Sequence, residues 1–253
     1  PIAKYKADLT RDDFVFDAAQ EHAVMALQRL YDELLKEDEV VEKTSLFGRL
    51  KKSFSRQDEA QNIPPRGIYF WGGVGRGKTY LVDTFYDCLP FENKMRIHFH
   101  RFMHRVHNEL KLLDKQKDPL KSIAKKFADE AKIICFDEFF VSDITDAMIL
   151  GTLFESLFEH GVILVATSNI IPDELYRNGL QRARFLPAIQ LINQHCDIVN
   201  VDSGVDYRLR ALEQAELYHS PLDAAADASL LKSFESLVPD KGEIRADVAI
   251  EVE

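Results

Sequence analysis

Apolar positions along the chain follow two rhythms. Between Asp17 and Lys36 they recur every three or four residues, and Val24, Leu27, Leu30, Tyr31, Leu34 and Leu35 share one face, so the spacing predicts an amphipathic helix. Short unbroken apolar runs follow, each long enough for a buried strand: Gly67–Trp71, Arg96–Phe99, Lys132–Phe136, Val162–Ala166 and Asp197–Val201. Helical spacing returns between them, over Tyr80–Tyr86, His100–Leu113 and Thr145–Glu159. Strands alternating with helices predict an α/β fold around a mostly parallel sheet. Beyond Asp223 an Ala- and Asp-rich run is loosely patterned, and Ile244–Val252 alternates like an exposed strand.

The run Gly72-Gly73-Val74-Gly75-Arg76-Gly77-Lys78-Thr79 lies between the first strand and the Tyr80–Tyr86 helix. It fits G-x-x-x-x-G-K-[ST], whose backbone N–H groups cradle phosphates while the lysine reaches the β- and γ-phosphates and the hydroxyl meets Mg²⁺. Strand, glycine-rich turn and helix is the context the motif needs, because the helix N-terminus adds donors and positive dipole. The nucleotide-binding residues are therefore Gly72, Gly73, Val74, Gly75, Arg76, Gly77, Lys78, Thr79 and Tyr80. Asp137-Glu138 closes the third strand: Asp137 is placed to hold Mg²⁺ through water, and Glu138 to deprotonate the attacking water. Asn169, after the fourth strand, falls where open α/β sheets bind ligands and can reach the γ-phosphate or the water; capping the segment near Pro172-Asp173 is its alternative. Arg182 and Arg184 are candidates for stabilising transition-state charge, in a neighbouring subunit's site or their own, and an ordinary surface position is the alternative.

The 253 residues are 46% hydrophobic, enough for one large domain with an appendage. A net charge of −10 speaks against general nucleic-acid coating, although Lys94, Arg96, Arg101 and Arg105 could build a local groove. Cys88, Cys135 and Cys196 are widely spaced with no C-x-x-C, which indicates reduced thiols in a cytosolic compartment and no structural zinc. No run approaches a membrane span, and Pro1–Arg11 does not read as a signal peptide. His100, His104 and His107 share one outward helix face, opposite a buried stripe of Phe102, Val106, Leu110 and Leu113, and no carboxylate joins them in sequence. From Lys43 to Arg56 a basic amphipathic segment predicts either a plain insertion or a surface for a membrane or partner.

These residues together make the chain resemble the ZapE family, AAA+ ATPases of bacterial cell division with mitochondrial relatives. The resemblance rests on Pro65–Thr79, on Arg96-Ile97-His98-Phe99-His100-Arg101-Phe102-Met103, on Cys135–Phe139, on Thr167-Ser168-Asn169, on Gly179–Arg182 with Arg184-Phe185-Leu186-Pro187, and on Asp206–Arg210. It implies an AAA+ core at 1–206 with a basic insertion near 43–60, a five-stranded, mostly parallel sheet flanked by helices, and the start of an incomplete helical lid at 207–253. The strand bearing Asn169 is expected between the phosphate-loop strand and the Asp137 strand. The resemblance also implies ATP and Mg²⁺ as cofactors, hydrolysis of ATP, and self-association in which an arginine completes a neighbour's site. FtsZ or other division proteins are the implied partners, in the cytoplasm or at the inner membrane face through 43–56. A second sensing arginine is expected beyond Glu253.

Three other readings compete. A loader gripping single-stranded nucleic acid would use the local groove above. A GTPase switch would need an Asp after Asn93-Lys94, where Met95-Arg96 stands. A small-molecule kinase would need an acceptor motif, and none is present.

Overall fold

The computed structural model describes residues 1–11, 14, 16–47, 64–113, 116–202 and 226–231. Two compact units divide the chain, Pro1–Gly204 and Val205–Glu253. In the second, 226–231 is helical. In the first, helices α1 (Ile2–Asp8) and α2 (Ala18–Phe47) lead into strand β1 (Gly67–Trp71) and helix α3 (Lys78–Cys88). Then come β2 (Lys94–His98), α4 (Phe99–Leu112), α5 (Pro119–Glu130), β3 (Ile133–Asp137), α6 (Ile144–Glu159), β4 (Ile163–Ser168), α7 (Leu186–His195) and β5 (Cys196–Asn200). Two 3-10 turns, Pro172–Glu174 and Arg182–Arg184, lie between β4 and α7.

All pairings are parallel, in the order β2-β3-β4-β1-β5. The strand bearing Asn169 thus runs between the phosphate-loop strand and the Asp137 strand, as the resemblance implied. β3 and β4 are buried throughout, as central parallel strands covered on both faces must be. Their alternation sorts side chains into two cores. Tyr69, Ile134, Phe136, Leu164 and Ala166 face α4, α5, α6 and α7. Ile68, Phe70, Ile133, Cys135, Ile163 and Val165 face α1, α2 and α3. The result is a three-layer sandwich.

Some boundaries differ from the sequence reading. β2 starts at Lys94 and stops at His98, so Phe99 belongs to α4, where its ring packs on Phe139 at 4.4 Å between centroids. Helix α5 was not foreseen, although Leu120, Ile123, Ala124, Phe127 and Ala128 hold helical spacing behind Pro119; interleaved lysines obscure the stripe. Helix α7 was also not foreseen, and it buries Ala188, Ile189 and Ile192. On α4 the buried residues are Phe99, Phe102, Met103 and Val106, while Leu110 is only partly covered. α2 runs eleven residues past Lys36. The basic segment predicted over 43–56 lies mainly outside the described residues, and its charged face with it. Among the described residues, no helix is long and apolar enough to cross a membrane.

Candidate functional site

The site gathers at the C-terminal ends of β1, β3 and β4, where α3 begins. Gly75 and Gly77 take φ of 76° and 77°, the left-handed conformation that lets the loop turn its N–H groups inward. A Cβ on Gly77 would also come within 2.6 Å of Gln20 Nε2, which donates to the Arg76 carbonyl at 3.3 Å. The first turn of α2 therefore braces the loop. Asp17 fixes that turn in place, its Oδ1 accepting from Ala19 N at 2.7 Å.

Lys78 Nζ folds back on the loop, donating to the carbonyls of Gly72 and Gly73 at 2.7 Å each and to Asn169 Oδ1 at 2.9 Å. Two predicted residues ninety-one positions apart in sequence thus meet, because β4 pairs with β1. In this arrangement Asn169 Oδ1 faces an ammonium and does not cap the turn at Pro172. Tyr80 is tied to α1 through a short hydrogen bond from its hydroxyl to Asp8, and its ring lies 5.2 Å from that of Phe14. Burial foremost, then Asp8, holds the Tyr80 hydroxyl well above its ordinary pKa.

Asp137 ends β3 beside His98 of β2 and is 7% exposed. Its Oδ2 takes Arg96 Nη2 at 2.7 Å, and its Oδ1 is 3.5 Å from the Thr167 hydroxyl. Glu138 is exposed and sits at φ 52°, a conformation a non-glycine residue holds only under constraint. The constraint is visible: Glu138 N donates to Thr167 Oγ1 at 3.2 Å, and Phe139 N to the Thr167 carbonyl at 2.7 Å. Thr167, on β4, presents the acidic pair of β3.

Thr79 and Asp137 offer hard oxygen donors beside a phosphate cradle. That set suits Mg²⁺, which keeps several waters and takes phosphate oxygens rather than a cage of side chains. Among the described residues, no group of three or more His, Cys, Asp or Glu could hold a metal alone. His107 does gain a carboxylate that the sequence did not show, with Nε2 2.6 Å from Asp146 Oδ1 of α6, while His100 and His104 stay exposed.

Three contributors escaped the sequence reading. Asp202, just past β5, accepts Gly73 N at 3.3 Å and pairs with Arg76 Nε at 2.9 Å. Asp83 pairs with Arg96 Nε at 2.7 Å, and Gln20 braces the loop. No motif marks these residues: Gln20 comes from α2, Asp83 from α3 and Asp202 from just past β5.

The arginine candidates part company. Arg182 Nη2 is spent on the Asp173 carbonyl at 2.6 Å, whereas Arg184 is exposed. Neither is hydrogen-bonded or ion-paired to Lys78 or Asp137 among the described residues. Nor do the four basic residues form a free groove. Lys94 Nζ donates to the carbonyls of Tyr86 and Leu89, Arg96 is held by two carboxylates, and Arg105 pairs with Glu130 at 2.8 Å. Of the four, Arg101 alone stays exposed without a described partner. Cys135 and Cys196 are fully buried, and desolvation pushes both thiols up to about 12, so neither is a nucleophile.

The sequence model of AFG1-like ATPases matches residues 1–253. Cell division protein ZapE of Escherichia coli (strain K12) is 53% identical over 244 residues, covering 96% of this chain and 65% of that one. Lactation elevated protein 1 homolog B of Danio rerio is 42% identical over 199 residues, 74% of this chain and 40% of its own. The chain thus spans less than two-thirds of the length of either. The crystal structure of the DnaC helicase loader aligns with a TM-score of 0.49 at 14% identity, covering 79% of this chain and 99% of the loader. A likeness that distant bears on neither activity nor partner.

Proposed function

The chain belongs to the AFG1-like ATPase family, and from that premise we propose that it hydrolyses ATP to ADP and phosphate and uses the cycle to remodel a protein partner in cell division, FtsZ polymers first among the candidates. One observation carries the catalytic part: Lys78 and Asn169 meet beside a left-handed glycine loop, with Asp137 and Glu138 on the neighbouring strand.

The N–H groups from Gly73 to Tyr80 receive the phosphates. Lys78 exchanges its two loop carbonyls for phosphate oxygens and keeps within reach of Asn169. Thr79, and Asp137 through water, would hold Mg²⁺, which would supply positive charge against the phosphates. Glu138 takes the proton of the attacking water, its carboxylate exposed on a backbone that Thr167 fixes. Asn169 orients that water or the γ-phosphate. Arg184, exposed and without a described partner, is the better candidate to reach a neighbouring subunit's site; Arg182 shapes its loop.

Lys78→Ala should abolish nucleotide binding, whereas Glu138→Gln should keep ATP bound and stop its hydrolysis. Equal turnover by Glu138→Gln and the parent, both as the full-length protein, would remove Glu138 from its role. Sedimentation of the full-length protein with FtsZ polymers in ATP, ADP or no nucleotide tests the coupling. Pelleting that ignores the nucleotide would overturn it.

A further inference from the structure

Arg96 is the hub of a charge network that joins three elements behind the acidic pair. From the middle of β2 its Nε meets Asp83 Oδ1 on α3 at 2.7 Å, and its Nη2 meets Asp137 Oδ2 on β3 at 2.7 Å. Only 15% of its side chain and 10% of that of Asp137 are exposed. The third nitrogen, Nη1, is buried with no hydrogen-bond partner among the described residues, so the two carboxylates supply the anchoring seen. Asp83 lies one helical turn beyond Thr79 and on the same face of α3. Burial raises the Asp83 carboxyl most, and Arg96 opposes that rise.

A single guanidinium therefore pairs with two carboxylates where a divalent cation would approach Thr79 and Asp137, and it offsets half of their negative charge. Asp83, Asp137 and the adjacent Glu138 would otherwise form a strongly negative pocket. Charge at contact distance in the largely buried Arg96–Asp137 pair is screened little by salt, whereas Asp83 is half exposed. A cation arriving without nucleotide would meet a carboxylate already paired and a fixed positive charge behind it. A cation arriving with nucleotide brings phosphate oxygens that supply the missing negative charge and complete its shell.

We infer that Arg96 is the resident counter-cation of the magnesium carboxylate, and that it makes metal binding conditional on nucleotide. The inference rests on the reading of Asp137 as that carboxylate. Arg96 touches neither substrate nor metal and acts through Asp137, as a positioning residue. When the metal is bound, Arg96 keeps its second anchor on Asp83 and so stays in place.

Mn²⁺ serves as the probe, its binding to the full-length protein read by electron paramagnetic resonance with and without ATP. The wild type should bind Mn²⁺ weakly alone and tightly with ATP. Arg96→Gln should bind Mn²⁺ without nucleotide at least about tenfold more tightly than the wild type, the scale on which groups behind a ligand tune metal affinity. Adding Asp137→Asn to Arg96→Gln should abolish that gain. Unchanged nucleotide-free binding in folded Arg96→Gln would overturn the inference. So would wild-type protein that binds Mn²⁺ equally well with and without ATP, a measurement that needs no variant to fold. If Asp137→Asn alone leaves ATP-supported Mn²⁺ binding intact, the assignment of Asp137 falls, and the role of Arg96 with it.

Discussion

Glu138 holds a backbone conformation that costs roughly 1–3 kcal/mol for a residue with a Cβ, and Thr167 holds it there through two hydrogen bonds. Asparagine tolerates that conformation better than glutamate. Glu138→Asn should therefore melt higher than the parent, by up to about 1 kcal/mol, while losing hydrolysis. Calorimetry beside a turnover assay checks it: a variant that melts lower would show that the strain is not relieved at this residue. Sequence alone named Glu138 from its place after an apolar run, but the left-handed φ was not legible, since nothing local to Phe136-Asp137-Glu138-Phe139 demands it. It comes from Thr167, twenty-nine residues on and one strand away. Arg96 was read as one member of a basic patch for the same reason: its two carboxylate partners sit on separate elements.

The loop and the helices that brace it set the next scale. Gly77→Ala would put a Cβ at 2.6 Å from Gln20 Nε2 and force alanine into φ 77°. The backbone term alone costs about 1 kcal/mol, and nucleotide affinity should fall because the N–H groups of the loop lose their aim. Replacing Gln20 as well, as Gln20→Ala with Gly77→Ala, should recover part of the stability, and thermal melts of the two variants measure how much. Asp17→Ala should cost about 1 kcal/mol, some 2–4 °C in melting temperature for a chain of this size, by leaving the first turn of α2 uncapped. At this scale the sequence was informative wherever apolar spacing stood clear of charge. It revealed β1, β3, β4 and α6, and it failed at α5, where Lys121, Lys125 and Lys126 interrupt a regular stripe. At α7 the run Leu186–Ile192 is short and buries only Ala188, Ile189 and Ile192, so its stripe is faint although Pro187 marks a helix start.

For the molecule as a whole, His195 links folding to pH. Its ring stacks on Phe158 at 4.1 Å between α6 and α7, and burial, then Arg66, lowers its pKa below the ordinary value near 6.5. The fold thus prefers the neutral ring, and the unfolded chain takes up the proton first. Stability from this group is complete above about pH 6.5 and declines as pH falls below it, levelling out beneath the lowered folded value. His195→Phe, which keeps the stacking, should lose less stability than the parent between pH 7 and pH 5 in denaturant titrations. An equal slope would place the acid sensitivity elsewhere. Arg184→Ala should leave nucleotide binding intact and cut turnover only where the protein self-associates, which turnover measured against protein concentration resolves. The order of the three central strands was legible only through family resemblance, and the edge places of β2 and β5 not at all, because periodicity tells which segments are strands but not which of them are neighbours.

Asp202 grips the loop at two points, the Gly73 N–H and the Arg76 guanidinium, from the second position after β5. The edge strand of the sheet is in this way clasped to the rim of the phosphate cradle. Like a latch fixed to a doorframe, the clasp leaves two courses to any rearrangement of Gly73–Arg76: it carries the backbone of Asp202 along, or it first lets the carboxylate go.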